Sequence, residues 1–477
     1  MSTDVGFRSE RGPVLIALML TTGLVAIEGT ILATAVPTIV ADLGGFASFP
    51  WLFSVYLLAQ AVSVPVYAKL ADTIGRKPII LFGIGLFLIG SVLSGFAWSM
   101  TTLILFRALQ GLGAGAIQPL AITIAGDIYT VRERARVQGY LASVWAASSV
   151  IGPSLGGLFA EFGLWRWIFF VNIPLCFIAA WMLIRAYHET VEHAPHRIDY
   201  AGAVTLTGAL TMLILGILQG GQSWAWDSAT SITIFSVGGA LLGLFAIAES
   251  RAAEPILPLW VISRRLLAAT ALISLAIGAV LLGLTSYVPT FLERTLGASP
   301  LIGGLALAAL TLGWPLAASQ SGRLYLRIGF RATSMIGGTI ATAGAIILAA
   351  TSATPNVAVV AASCFVVGLG MGLVATPSLI AAQSSVDWNE RGVVTGTNLF
   401  ARSVGSAVGV AIFGAIANSV LVGMGADENS VAGIQVASGT VFTAVAFASV
   451  LVILAAAAMP RGVAPLGLST EPTPVIE

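Results

Sequence analysis

Apolar residues run on along this chain in stretches of about 20 or more, and polar residues gather in the short breaks between them. Each stretch can cross a bilayer as a helix, which needs about 20 residues at a rise of about 1.5 Å per residue. The pattern predicts fourteen spans, at 14–40, 50–70, 78–98, 102–126, 137–160, 167–186, 198–218, 230–248, 266–290, 300–322, 331–351, 356–381, 391–418 and 437–459. The longest polar stretch, about 187–199, is a connector, so no soluble domain fits.

A missed or surplus helix would scramble the placement of basic residues, so the breaks test the count. Eighteen basic residues, from Arg8 and Arg11 to Arg461, fall on the side of the termini, and only Arg166 and Arg294 on the other. Both termini are therefore expected in the cytoplasm. Trp51, Trp98, Trp165, Trp167, Trp224 and Trp226 gather near the outer ends, as an interfacial belt does. The first run is too long for a signal-peptide core and is expected to stay as the first helix.

Composition agrees with that environment. The chain is 57% hydrophobic and 9% charged, where a soluble domain has about 25% charged residues. A net charge of +1 points to no nucleic-acid or acidic partner. Cys176 and Cys364 lie inside spans and read as small buried apolar residues. The preference for arginine over lysine points to a GC-rich bacterial source and hence a plasma membrane.

Away from their ends, the spans hold three charges. Glu28 stands alone about halfway along the first run, and Arg107 and Arg402 lie in the fourth and thirteenth spans. An ionisable residue at such a depth is a functional candidate by default.

Shifting the chain by 257 residues lays Gly111-Leu112-Gly113-Ala114-Gly115 on Gly368-Leu369-Gly370-Met371-Gly372, and Glu133-Arg134 on Glu390-Arg391. A shift of 254 lays Leu70, Ile74 and Gly75 on Leu324, Ile328 and Gly329. Spans 1–6 thus correspond to spans 9–14, with spans 7 and 8 inserted. The implied division is a cytoplasmic start at 1–13, a six-helix bundle at 14–186, a connector with two inserted helices at 187–265, a second bundle at 266–459 and a tail at 460–477. Parallel repeats of this kind place the substrate site near mid-membrane between the halves. The intramembrane charges do not repeat: Glu28 faces Thr285, Arg107 faces Cys364, and Trp145 faces Arg402.

In the second break stands Ala68-Lys69-Leu70-Ala71-Asp72-Thr73-Ile74-Gly75-Arg76-Lys77-Pro78. Gly75 supplies a turn, and Asp72 with Arg76 and Lys77 can form an ion-pair clasp at the cytoplasmic mouth. The stretch resembles the signature loop of the major facilitator superfamily, G-x-L-A-D-x-x-G-R-K, with Ala68 in place of the first glycine. Arg107-Ala108-Leu109-Gln110-Gly111-Leu112-Gly113 admits two readings, a snorkelling or structurally paired arginine or the R-x-x-Q-G-x-G pattern of proton-coupled facilitators, which it resembles. Gly152-Pro153-Ser154-Leu155-Gly156-Gly157 reads alone as a helix hinge and resembles the G-P-x-x-G-G signature of exporters. Trp165-Arg166-Trp167-Ile168-Phe169-Phe170-Val171-Asn172-Ile173-Pro174 and Glu28-Gly29-Thr30-Ile31-Leu32-Ala33-Thr34-Ala35-Val36-Pro37 are similar to stretches of the fourteen-helix drug:proton antiporter family, with glutamate in place of that family's aspartate.

That resemblance implies an all-α membrane protein of the major facilitator fold, exporting lipophilic, often cationic, small molecules against protons by alternating access. Glu28, Arg107 and Arg402 are the candidates for proton coupling. Arg402 serves either as counter-charge to Glu28 or as an anchor for an anionic substrate. Asp72, Gly75, Arg76 and Lys77 form the expected cytoplasmic gate, and Gly152, Pro153, Gly156 and Gly157 the hinge. Tyr56, Gln60, Gln118, Trp145, Asn172 and Asn398 are pocket-lining candidates, or else satisfy interhelical hydrogen bonds. A facilitator dedicated to one metabolite or organic anion would share every motif. An enzyme or receptor would need a reactive cluster, and none is visible. His188, His193 and His196 crowd the connector without the other ligands a metal site needs, and no phosphate-cradling loop is present. The expectation is a monomer with no metal and no cofactor other than the transported proton.

Overall fold

The computed structural model describes residues 6–129, 131–189, 199–220, 223–253, 255, 257, 259–386, 391–425 and 430–461. Among them the chain is almost wholly helical. In order the helices are α1 (Gly12–Ile31), α2 (Val36–Leu43), α3 (Pro50–Ile74), α4 (Arg76–Gly95), α5 (Met100–Ile128), α6 (Val131–Glu161), α7 (Trp167–Phe170), α8 (Asn172–Ala186), α9 (Tyr200–Gln219), α10 (Ala229–Arg251), α11 (Leu259–Ser263), α12 (Arg265–Leu296), α13 (Pro300–Ile328), α14 (Phe330–Ala350), α15 (Val357–Ser384), α16 (Arg391–Gly423) and α17 (Val431–Ala458).

The first expected span is α1 and α2 joined through a tight 3-10 turn, Ala33–Ala35, just before Pro37. Proline has no N–H to extend the ladder, which explains the break. Thirteen helical stretches among the described residues are long and apolar enough to cross a membrane. The span expected at 137–160 is not one of them. It lies in α6, which is 31 residues long and has side chains outside the described residues. The expected fourteen therefore stand as thirteen such spans and α6. Several helices overrun their expected ends, α12 to Leu296, α13 to Ile328 and α16 to Gly423, because helix continues into the polar border where hydropathy falls.

The repeat is visible in the packing. α4 lies on α5, α3 on α5, α1 on α6 and α1 on α8; their counterparts α14 on α15, α13 on α15, α12 on α16 and α12 on α17 pack likewise. Gly111 shows why glycine recurs at the matched positions. A Cβ there would come within 2.3 Å of the Tyr56 carbonyl oxygen, and one at Gly368 within 2.0 Å of the Leu310 carbonyl. The corners match too. Gly75 closes α3 and opens α4 at φ 118°, as Gly329 closes α13 and opens α14 at φ 86°, a region costly for any residue with a Cβ.

The two halves meet where α6 packs on α13 and α3 on α16, and where the 3-10 turn and α2 touch α12. α9 leans on α3 and α16, burying Leu206, Leu210, Ile214 and Leu218, while α10 packs mainly on α9 and stays largely exposed. Phe82, Phe177, Trp181, Phe447 and Leu454 are among the large apolar side chains left on the outside, as expected of a surface solvated by lipid.

Candidate functional site

Glu28 and Arg107 are each 1% exposed and form an ion pair through Arg107 Nη1 and Glu28 Oε1. α1 and α5 bring them together, and three further helices complete the surroundings. Asn172, at the start of α8, donates from Nδ2 to Glu28 Oε2 at 2.8 Å and to Ser91 Oγ of α4 at 2.8 Å. Gln110, one turn after Arg107 on α5, accepts from Arg107 Nη1 at 2.8 Å and donates to Ser91 Oγ at 3.3 Å. Ser91 in turn donates to the Phe169 carbonyl at 2.9 Å. Arg107 Nε donates to the Leu52 carbonyl of α3 at 3.2 Å, and the Tyr56 ring lies 4.2 Å from the guanidinium carbon.

The guanidinium thus turns inward and does not snorkel. The R-x-x-Q spacing places Arg107 and Gln110 on one helix face, so the amide braces the guanidinium against the carboxylate. Buried ions are costly unless paired and hydrogen-bonded, and here both carboxylate oxygens and two guanidinium nitrogens have partners. Changing the charge of either member would remove the reason for this arrangement, which is what a protonation switch requires.

A second charged group sits at the end of the bundle where the basic residues gather. Arg76 pairs with Asp127 at the end of α5 at 2.8 Å. Glu189 accepts from the backbone N–H groups of Arg76 at 2.6 Å and Lys77 at 3.2 Å, an anion on the N-terminus of α4. Lys77 Nζ donates to the carbonyls of Ile184 and Tyr187 at 2.9 and 2.6 Å. Burial pushes the Tyr187 phenol up to about 12, with the nearby Glu189 and Asp127 charges adding to the shift. The expected clasp named Asp72 as the acid; its side chain lies outside the described residues, and Asp127 and Glu189 are acids that the sequence reading missed. His188 is exposed, and His193 and His196 lie outside the described residues.

At the opposite end, Asp42 accepts from Trp165 Nε1 at 3.0 Å and Arg166 Nη1 at 2.9 Å, which gives the Trp-Arg pair of that motif a local task. The glycine face of α6 supplies contact. A Cβ at Gly152 or Gly156 would meet Thr30 Oγ1 at 2.0 Å or the Ile31 carbonyl at 2.1 Å on the α1 side, and one at Gly157 would meet Leu301 Cα at 2.7 Å across the seam. Gly304 reciprocates, since a Cβ there would come within 2.4 Å of the Pro153 carbonyl oxygen.

Of the pocket-lining candidates, Asn172 belongs to the Glu28 network and Tyr56 to its aromatic wall. Gln60 Nε2 donates to Gln118 Oε1 at 3.4 Å, Trp145 is half-buried, and Asn398 accepts from Ser274 at 2.8 Å. Arg402 is not with Glu28. Its guanidinium carbon lies 5.9 Å from the Trp314 ring.

Comparison with known proteins places this geometry in a family. The model described as Major Facilitator Superfamily matches residues 18–410. The chain belongs to the major facilitator superfamily. Two Bacillus subtilis (strain 168) members of similar sequence are Multidrug resistance protein 3, 34% identical over 422 residues covering 88% of this chain and 82% of that protein, and Multidrug transporter protein MdtP, 34% identical over 417 residues covering 87% and 76%. The facilitator fold is shared with a D-xylose-proton symporter (TM-score 0.64, 12% identity, 95% of this chain and 98% of that one) and a POT family peptide transporter (TM-score 0.66, 17% identity, 94% and 95%). This facilitator is a multi-pass membrane protein whose named relatives support an exporter.

Proposed function

We propose that this protein is a proton-coupled antiporter that exports lipophilic small molecules, cations among them, from the cytoplasm, and that it is not an enzyme. The observation that carries the reading is the buried Glu28–Arg107 pair with Asn172 on its second oxygen. A proton delivered to Glu28 removes the charge that holds Arg107, and its departure restores the pair. Each state favours a different placement of α1 against α5 and α8, and α1 continues through the 3-10 turn to the seam with α12. Protonation is thereby tied to how the halves meet. The relatives' names, multidrug transporters and efflux pumps among them, support export and breadth of substrate. The basic end faces the cytoplasm, where Gly75, Arg76 and Lys77, with Asp72, gate the inner mouth, and Gly152, Pro153, Gly156 and Gly157 hold the outer seam. The transported proton is the sole coupling agent, no organic cofactor or metal is used, and a single chain suffices.

The test is substrate-driven proton release from purified protein, across cationic, neutral and anionic compounds. Release is expected from the wild type and is expected to vanish in Glu28→Gln; normal release from that variant would overturn the assignment.

A further inference from the structure

The buried guanidinium of the first half has a carboxylate, whereas Arg402 in the second half has none among the described residues. Arg402 lies about 16 Å along α16 from its start, and Trp314 stands at the middle of α13, so both sit near mid-depth. Among the described residues Arg402 makes the ring contact with Trp314 and no ion pair or hydrogen bond.

Neither side chain faces lipid. On α16 the exposed Val393 and Val422 lie about 160–180° round the helix from Arg402, and on α13 the exposed Leu305, Leu312 and Leu316 lie about as far from Trp314. Both side chains are nonetheless only half-buried, which leaves part of each open to a ligand. The α16 residues packed against α3 and α9, Phe400, Val404, Ala407 and Ala411, lie about 140–180° round the helix from Arg402, which turns instead to Trp314 of α13 in the same half. The backbone there is fixed: the Arg402 carbonyl would stand 2.1 Å from a Cβ at Gly278 of α12.

A cation at this depth without a counter-charge is costly, and an indole face repays only part of that cost. Packing does not demand it, since the repeat has Trp145 at the matching position. We propose that Arg402 and Trp314 form an acceptor for a carboxylate or sulfonate carried on an aromatic substrate. The guanidinium fork makes two parallel hydrogen bonds to the oxyanion, and the indole stacks on the adjoining ring. Glu28, held by Arg107 and Asn172, takes no direct part. The inference deepens the export reading by adding amphiphilic anions to the substrates, and it rests on that reading only for the direction of transport.

Equilibrium binding tests it without a gradient, so its outcome is separable from that of the proton-release experiment. The probes are anilinonaphthalene sulfonate and tetraphenylphosphonium, with nanodisc-embedded protein measured against empty nanodiscs. Saturable binding of the sulfonate is expected, weakened about tenfold or more in Arg402→Gln. Arg402→Lys, which keeps the charge but loses the fork, should fall between the wild type and Arg402→Gln, and the phosphonium should change by less than about twofold in both variants. Absence of saturable sulfonate binding, unchanged binding in Arg402→Gln, equal loss of both probes, or a lysine variant no better than the glutamine one would each overturn the proposal.

Discussion

Asn172 holds Glu28 Oε2 while Arg107 holds Oε1, so the carboxylate is gripped from two helices at once. The amide needs no charge change to stay in place when the carboxylate is protonated. In the proposed proton cycle it would keep the side chain oriented while the salt bridge comes and goes. Asn172→Leu should therefore leave Glu28 able to exchange protons but poorly positioned, with transport falling about tenfold or more as buried Ser91 and Glu28 lose a donor. Uptake into inverted vesicles under an imposed pH gradient measures this.

Removing one member of the ion pair leaves the other buried and uncompensated. Glu28→Gln and Arg107→Gln should each lower stability by about 3–5 kcal/mol, and the double variant should lose less than the sum of the two. Thermal unfolding of the four proteins in detergent gives the coupling directly. Additive losses would mean that the pair is not energetically linked.

Asp127→Asn keeps the shape of the contact with Arg76 but removes its charge. The pair is partly exposed, so the loss of stability should be about 1 kcal/mol or less. Its effect should fall on exchange between conformations, read by spin-label distances across the basic end, with substrate affinity little changed. A collapse of affinity at an unchanged exchange rate would show that the network acts on binding.

Gly157→Leu puts a side chain where a Cβ already meets Leu301 Cα at 2.7 Å. Leucine is a better helix former than glycine by about 1 kcal/mol, so α6 should still form and the penalty should fall on the seam. Spin labels on α6 and α13 should show these ends held further apart, and transport should fall with the protein still folded.

Replacing α9 and α10 by a short polar linker removes two helices and so keeps the topology. The buried face of α9, Leu206 to Leu218, would be exchanged for lipid tails of equal apolarity. Proton-driven transport should persist at a reduced rate in proteoliposomes. Complete loss with substrate binding intact would place α9 in the cycle.

The helices and the repeat were legible because both rest on features a sequence carries directly, the length of apolar runs and glycines where backbones touch. Gly111 and Gly368 illustrate the second, each lying beneath a carbonyl of the neighbouring helix. The isolation of Glu28 marked it, but not its partner, since Arg107 and Arg402 were equally available charges. Only the packing of α1 against α5 decides between them. Ser91 carried no signal, being one hydroxyl among several in an apolar run. Asp127 and Glu189 were passed over because they sit at helix ends and in a connector, where acidic residues usually face water. Trp314 was invisible for the opposite reason, as one more apolar residue in an apolar helix.

The two glycine corners share a backbone but differ in what surrounds them. Around Gly75 the contacts are ionic, Arg76 with Asp127 and Glu189 on the helix end. Around Gly329 they are aromatic, with the Tyr325 and Phe330 rings stacked at 4.8 Å. Salt weakens the first kind of contact and leaves the second almost untouched. A structure symmetric in its helices is in this respect asymmetric in its response to solvent: raising the ionic strength loosens one latch and spares its twin, so the halves need not release together.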